Sequence, residues 1–390
     1  MEYLQIRIDQ ARKESDETLE QQKLREIVEI IESFKTAELG NFFKDDCMAA
    51  KQKKEIRLED IPQDSAVLYP MLMADKPIIL LMRRDRMKLI GSPPELRNIQ
   101  ITIDDFTRIL RGDSESDIRS RGQRLYKSLI APVEPELQGI TTLVIVPDGA
   151  LRLIPFSVLH DGEQYLLEKY SVVTLPAITL TDLSQRPKLK NPDVLLGGLS
   201  EARHGFSALP DVEKEFAGIR KIFGTAKTLM NRTYNRKNLE KELIHQAYHY
   251  VVMSTHGNFG SSTEDTFVLT YDEKLDSDML ESLLTPLKFG KNPVELLTLS
   301  ACETGIGDER AALGLGGIAV KAGVRSAMAT LWRVEAESTS QLVAEFFRQL
   351  AEDGVSKAEA LRKAQIRLIS DTKYHHPRFW APFLLIGNWM

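Results

Sequence analysis

The chain has 390 residues, 43% hydrophobic and 27% charged, the composition of a folded protein with a real core. Its 51 Lys and Arg against 56 Asp and Glu leave a formal net charge of −5, so nothing in the charge balance favours nucleic acid. Two cysteines, Cys47 and Cys302, exclude a disulfide framework and fit a cytoplasmic location; the start Met1–Arg7 lacks a secretory signal, and no apolar run is long enough to span a membrane.

Residues 1–58 read as helical. From Gln21 onward, Leu24, Ile27, Ile31 and Phe34 recur at spacings of three and four, giving one apolar face. That face needs a partner, either the rest of the chain or a helical repeat array outside it. Three short apolar runs follow, at 66–69, 78–82 and 87–90, the pattern of a strand meander. The basic stretch Arg83-Arg84-Asp85-Arg86 between the last two reads as a solvated strand edge. Residues 102–131 return to helical spacing, 142–146 and 170–175 read as strands, and Pro147-Asp148-Gly149 is a turn. The polar segment Arg186–Pro192, with two prolines, is the internal boundary. It separates an accessory stretch, 59–190, from a second half, 191–390.

In that second half strands alternate with helices. Strands are expected at 194–199, 248–253, 294–299, 325–331 and 383–386, with helices at 211–223, 238–246, 312–322, 338–350 and 357–369. The alternation predicts an α/β fold: a mostly parallel sheet with helices on both faces. The Ser-, Thr- and Asp-rich segment 260–278 reads as a mobile loop.

Two chemical side chains stand at the ends of expected strands. His256 follows the run 248–253, and Cys302 follows 294–299, 46 residues later. In an open parallel sheet, ligands bind beyond the carboxyl ends of the strands. A thiol and an imidazole brought together there form a nucleophile and its general base, and caspase-type proteases carry a His about 50 residues before the Cys. Cys302 would attack a peptide carbonyl as thiolate, and His256 would take the thiol proton and later protonate the leaving amine. The backbone N–H groups of Gly257 and Cys302 are the natural donors for the oxyanion. Taken singly, Cys302 reads as a small buried hydrophobe more readily than as a nucleophile; the matched placement of both residues favours chemistry. His204 is a competing base, set off from its strand by an intervening loop. There is no Gly-x-Ser-x-Gly, no phosphate-binding loop and no second metal-ligand cluster beside His375-His376, so no cofactor or metal enters the reading. Gly314–Gly317 reads as helix packing.

Five stretches in order carry a family resemblance: 143–156, 254–257, 299–304, 323–332 and 379–387. Across about 60–390 the chain resembles the CHAT domains, caspase-like peptidase domains that usually follow tetratricopeptide-repeat arrays and are related to caspases and separase. The resemblance implies a caspase-like fold and a cysteine peptidase with a His-Cys dyad at His256 and Cys302. It further implies that 1–58 is the tail or remnant of a repeat array, and that 59–190 is an accessory half without a dyad residue. In separase-like relatives an acid after the Leu-Trp pair shapes the S1 pocket for a basic P1 residue. The comparable position here is Ala336, between Glu335 and Glu337. Either a neighbouring glutamate substitutes, or the pocket takes an uncharged side chain, or both glutamates serve only the N-terminal turn of the next helix. The expected function is a cysteine endopeptidase acting on protein substrates, regulated by a protein that docks on the N-terminal helical face. The alternative is a catalytically silent docking module of the same fold. Neither reading involves nucleic acid or a membrane.

Overall fold

The computed structural model describes residues 2–45, 57–73, 76–91, 99–112, 114–185, 189, 191–289, 294–304 and 308–390; the side chains of 76, 285–289 and 301–304 are outside the description. Cys47 and Arg186-Pro187-Lys188 fall outside the described residues. The chain forms two compact units, Met1–Ser184 and Gln185–Met390. Among the described residues no helix is long and apolar enough to cross a membrane.

The first unit opens with helices α1 (Glu2–Arg12) and α2 (Glu17–Phe43). The Asp16 carboxylate starts α2 by accepting the Leu19 amide at 3.0 Å, and Lys44 ends it in the left-handed region at φ 51°. The apolar face finds most of its partner within the unit: Leu24, Ile27 and Ile31 are buried, while Phe34 stays 57% exposed. Polar contacts lock α2 down as well. Lys35 Nζ donates to the Pro147 carbonyl at 2.6 Å, and Gln21 exchanges two 2.9 Å hydrogen bonds with the Met87 backbone. Strands β1 (Ser65–Met73), β2 (Lys76–Met82) and β3 (Met87–Gly91) make the expected antiparallel meander. Helices α3 (Ile99–Ile109) and α4 (Glu115–Leu129) lead to β4 (Thr142–Ile145); the short α5 (Leu166–Lys169) precedes β5 (Ser171–Thr174). β4 pairs parallel with both β1 and β5.

The second unit is built on a mostly parallel sheet with helices on both faces. Strands β6 (Val194–Gly198), β7 (Lys227–Met230), β8 (Tyr250–Phe259), β11 (Leu296–Thr304), β12 (Ser326–Thr330) and β13 (Phe383–Gly387) run in the order β7-β6-β8-β11-β12-β13. All neighbours are parallel except β12 and β13. Near-continuous burial along β6, β8 and β12 is what a strand covered on both faces requires. The helices are α6 (Val212–Ile222), α7 (Arg236–His245), α8 (Ser277–Phe289), α9 (Glu309–Ala322), α10 (Ala336–Ala351) and α11 (Lys357–Ile369). Gly314–Gly317 lies within α9.

Two local expectations are corrected. Residues 260–278 do not form a bare loop: β9 (Phe267–Leu269) and β10 (Lys274–Asp276) make a hairpin, and α8 begins at Ser277. Its turn closes where the Thr270 amide donates to the Glu273 carbonyl at 2.8 Å. The two chemically important strands also run further than their apolar cores. β8 continues to Phe259 and β11 to Thr304, because their polar ends pair with each other and β9 supplies β8 with a second partner. His256 and Cys302 therefore lie inside strands, near their carboxyl ends.

Candidate active site

The backbone brings the two sequence-nominated residues to adjacent strands. In the β8–β11 ladder Ala301 is the partner of His256, and Cys302 is the partner of Gly257. The register shifts between Leu299 and Ala301, where β8 carries one extra residue. Gly257 is paired on its other side with Val268 of β9. The side chain of Cys302 lies outside the description.

His256 is only 7% exposed and is held by a loop the sequence had offered for another purpose. Arg203, His204, Gly205 and Phe206 form a tight turn, closed by two backbone hydrogen bonds between Arg203 and Phe206 at 3.2 and 2.8 Å. Its central residues have φ 51° and 83°, the signature of a type I′ turn and the reason glycine stands at 205. His204 is thus an exposed turn residue. The residues that matter come next. The Phe206 ring lies 5.0 Å from the His256 ring at 33°, and the Ser207 carbonyl is 2.8 Å from His256 Nε2. A carbonyl only accepts, so in the neutral ring Nε2 carries the proton and Nδ1 is the nitrogen able to take one. Arg333 Nη2 donates to Ser207 Oγ at 3.0 Å, tying this loop to the segment after β12. Sequence reasoning missed Phe206 and Ser207; the only signal was the His-Gly pair of the turn.

Behind the histidine, on the same strand, the Ser254 hydroxyl donates to Glu215 of α6. Burial pushes the Glu215 carboxyl up to about 8, with the Ser254 hydrogen bond opposing the shift. The carboxyl is therefore protonated at neutral pH, a neutral strut between helix and strand.

The pocket residues nominated from sequence sit at the start of α10, two residues earlier than expected. Ala336 is its first residue, and the Glu335 carbonyl accepts the Ser338 hydroxyl at 2.9 Å. Glu337 accepts Lys373 Nζ at 2.6 Å, which holds its carboxyl below the ordinary range. The Glu335 carboxylate has no hydrogen bond or ion pair among the described residues. Trp332 Nε1 donates to the Arg378 carbonyl at 3.1 Å and anchors the segment leading to this turn.

Comparison with known proteins places these features. Human tetratricopeptide repeat protein 28 is 24% identical over 320 residues, which is 68% of this chain and 13% of that protein; its mouse counterpart matches equally. The chain thus spans about an eighth of the curated relatives it matches. Two crystal structures of the Saccharomyces cerevisiae separase–securin complex share the fold. Their TM-scores are 0.53 and 0.55, at 11% and 10% identity, with 88% and 95% of this chain covered and 31% and 33% of the separase chain. The model of the CHAT domain matches residues 119–388, well over half of the sequence, and the chain belongs to the CHAT domain family.

Proposed function

We propose that the chain is a cysteine endopeptidase that cleaves protein substrates with a His256–Cys302 dyad. The observation that carries this reading is placement: His256 and Cys302 stand one ladder position apart near the carboxyl ends of adjacent parallel strands, the end of an open sheet where ligands bind. A second support is the 2.8 Å Ser207 carbonyl contact, which orients the imidazole as a base is oriented by a third group. In the reaction, the Cys302 thiolate forms a bond to the peptide carbonyl carbon while His256 holds the thiol proton. That proton passes to the amine as the C–N bond breaks, leaving a thioester that water hydrolyses with His256 again as base. The Gly257 and Cys302 amides would donate to the oxyanion. A protein partner that docks on the N-terminal helices regulates the enzyme. The exposed apolar side chains Tyr3, Ile6, Leu19 and Phe34 of α1 and α2 are the surface for such a partner.

The test is a comparison of new protein N-termini generated in a native lysate by the wild type and by Cys302→Ala. We expect wild-type-only termini that share a P1 class. Identical termini from both proteins would leave only a docking module of the same fold.

A further inference from the structure

Four cations crowd around the loop that holds His256. The Arg203 guanidinium lies 3.7 Å over the Tyr271 ring, and Arg232 Nε donates to the Tyr271 hydroxyl at 3.4 Å. Lys274 Nζ stands 4.3 Å over the Phe267 ring, which meets Phe206 edge-on at 6.2 Å. Arg333 Nη2 donates to Ser207 Oγ at 3.0 Å. Among the described residues none of the four forms a salt bridge. Elsewhere in the unit some cations are paired, as Arg236 with Glu273, Lys321 with Glu281 and Lys373 with Glu337. The neighbouring carboxylates accept neutral donors and pair with none of the four: Asp265 accepts from Ser262, and Asp272 from Thr270 and the Arg236 amide. Glu201 reaches Arg232 only through its field. Arg203 Nε is also buried without a hydrogen-bond partner among the described residues.

In a chain of net charge −5, four cations without an ion-pair partner among the described residues stand around this one loop. Complementary anions supply the missing partner, and stacking on an aromatic face leaves a guanidinium's N–H edge free for a carboxylate. Nucleic acid fits less well. One face of each ring that could stack on bases is already taken: Tyr271 by Arg203, Phe267 by Lys274, Phe206 by His256.

We infer that this surface recognises an acidic polypeptide segment, whose Asp or Glu side chains pair with Arg203, Arg232, Lys274 and Arg333 while the adjoining chain lies at His256. The inference rests on the peptidase reading for its purpose; binding itself does not need turnover. The test titrates Cys302→Ala protein with a dye-labelled peptide of about a dozen residues, Asp and Glu alternating with Gly and Ser, and with its Asn/Gln twin, read by anisotropy. We expect the acidic peptide to bind about tenfold tighter at ~0.05 M salt, with the gap narrowing at ~0.5 M. The double variant Arg232→Gln with Lys274→Gln, both exposed side chains, should lose several-fold of the preference and leave the amide twin unaffected; the quadruple Gln variant should lose it entirely, with a thermal melt reporting its fold. Equal binding of the two peptides overturns the inference. So does a preference untouched in the double variant, or displacement by a single-stranded oligonucleotide at lower concentration than by unlabelled peptide. Failure of the peptidase reading is a different result: an unreactive Cys302 with the acidic preference intact.

Discussion

Phe206 lies against the ring of His256, with centroids 5.0 Å apart, while the next residue, Ser207, holds Nε2 through its carbonyl. The ring is thus fixed in plane and in tautomer by two consecutive residues of one loop. Replacing Phe206 by Ala removes the stack and lets the imidazole turn. We expect alkylation of Cys302 by a neutral thiol reagent to slow about threefold to tenfold at neutral pH, and stability to fall by about 1 kcal/mol. Phe206→Tyr keeps the stack and should restore both. Unchanged alkylation in Phe206→Ala would remove the bracing role.

His256→Gln tests the dyad through the thiol alone. An ordinary thiol titrates near 8.5, and an adjacent imidazolium draws its thiolate form down toward neutral pH. Wild-type alkylation of Cys302 should level off below pH 8. In the variant it should climb through about 8.5 and run roughly tenfold slower at pH 7. Superimposable pH profiles would mean that the two side chains do not interact.

Most strands and helices of the second unit were legible because their apolar cores have the right length and period; α6, α7, α10 and α11 begin and end within about two residues of expectation, while β7 and α8 were not foreseen. Much of the rest that escaped was decided by partners rather than by period. β9 and β10 are three residues each and exist because the end of β8 offers an open edge. The polar ends of β8 and β11, Ser254–Phe259 and Ser300–Thr304, carry no apolar run, yet cross-strand pairing makes them strand. At the site, the residues with intrinsic chemistry, His256 and Cys302, could be named from sequence. Phe206 and Ser207 could not, since an aromatic ring and a backbone carbonyl acquire their role only through the turn that aims them.

The start of the chain shows the same limit. Spacing found the apolar face of α2 but not its polar anchor, Glu32. That carboxylate is buried and accepts the Tyr69 hydroxyl at 2.8 Å, the amides of Ile178 and Thr179 at 3.2 and 2.9 Å, and the Thr179 hydroxyl at 2.6 Å. Glu32→Ala strands these donors, at about 1–3 kcal/mol for each buried group. We expect urea unfolding of the full chain to show the first unit destabilised by more than about 3 kcal/mol. A loss below 1 kcal/mol would mean that α2 is only loosely attached.

Gly198 ends β6 against the strand that carries His256. A Cβ there would stand 2.8 Å from the Ser254 carbonyl and from Phe216 Cζ, and 2.9 Å from Val212. The obstructing carbonyl is backbone and cannot swing aside, so Gly198→Ala must push β8 two residues before His256. We expect a loss of about 1–3 kcal/mol together with slower Cys302 alkylation. Gly224→Ala is the control, because nothing lies within 4 Å of its Cβ position. Equal melting temperatures for the two variants would show that the β6–β8 contact yields freely.

Glu215 gives the fold a pH dependence of unusual sign. Its carboxyl titrates at about 8 in the folded chain against an ordinary 4.5, because burial disfavours the charged form. Below pH 4.5 both states hold the proton and the group contributes nothing. As pH rises from 4.5 toward 8 the unfolded chain releases its proton and the folded chain does not, so stability falls through that window and then levels off. The interval corresponds to a cost on the order of 4 kcal/mol at its upper end. Glutamine matches the protonated carboxyl in shape and can still accept from Ser254. Glu215→Gln should therefore match the wild type near pH 4.5 and become progressively more stable than it toward pH 8, by up to a few kcal/mol in urea titrations. Stability curves that stay parallel across that range would mean that Glu215 is ionised in the folded chain, and that the charge on it is balanced by a group other than Ser254.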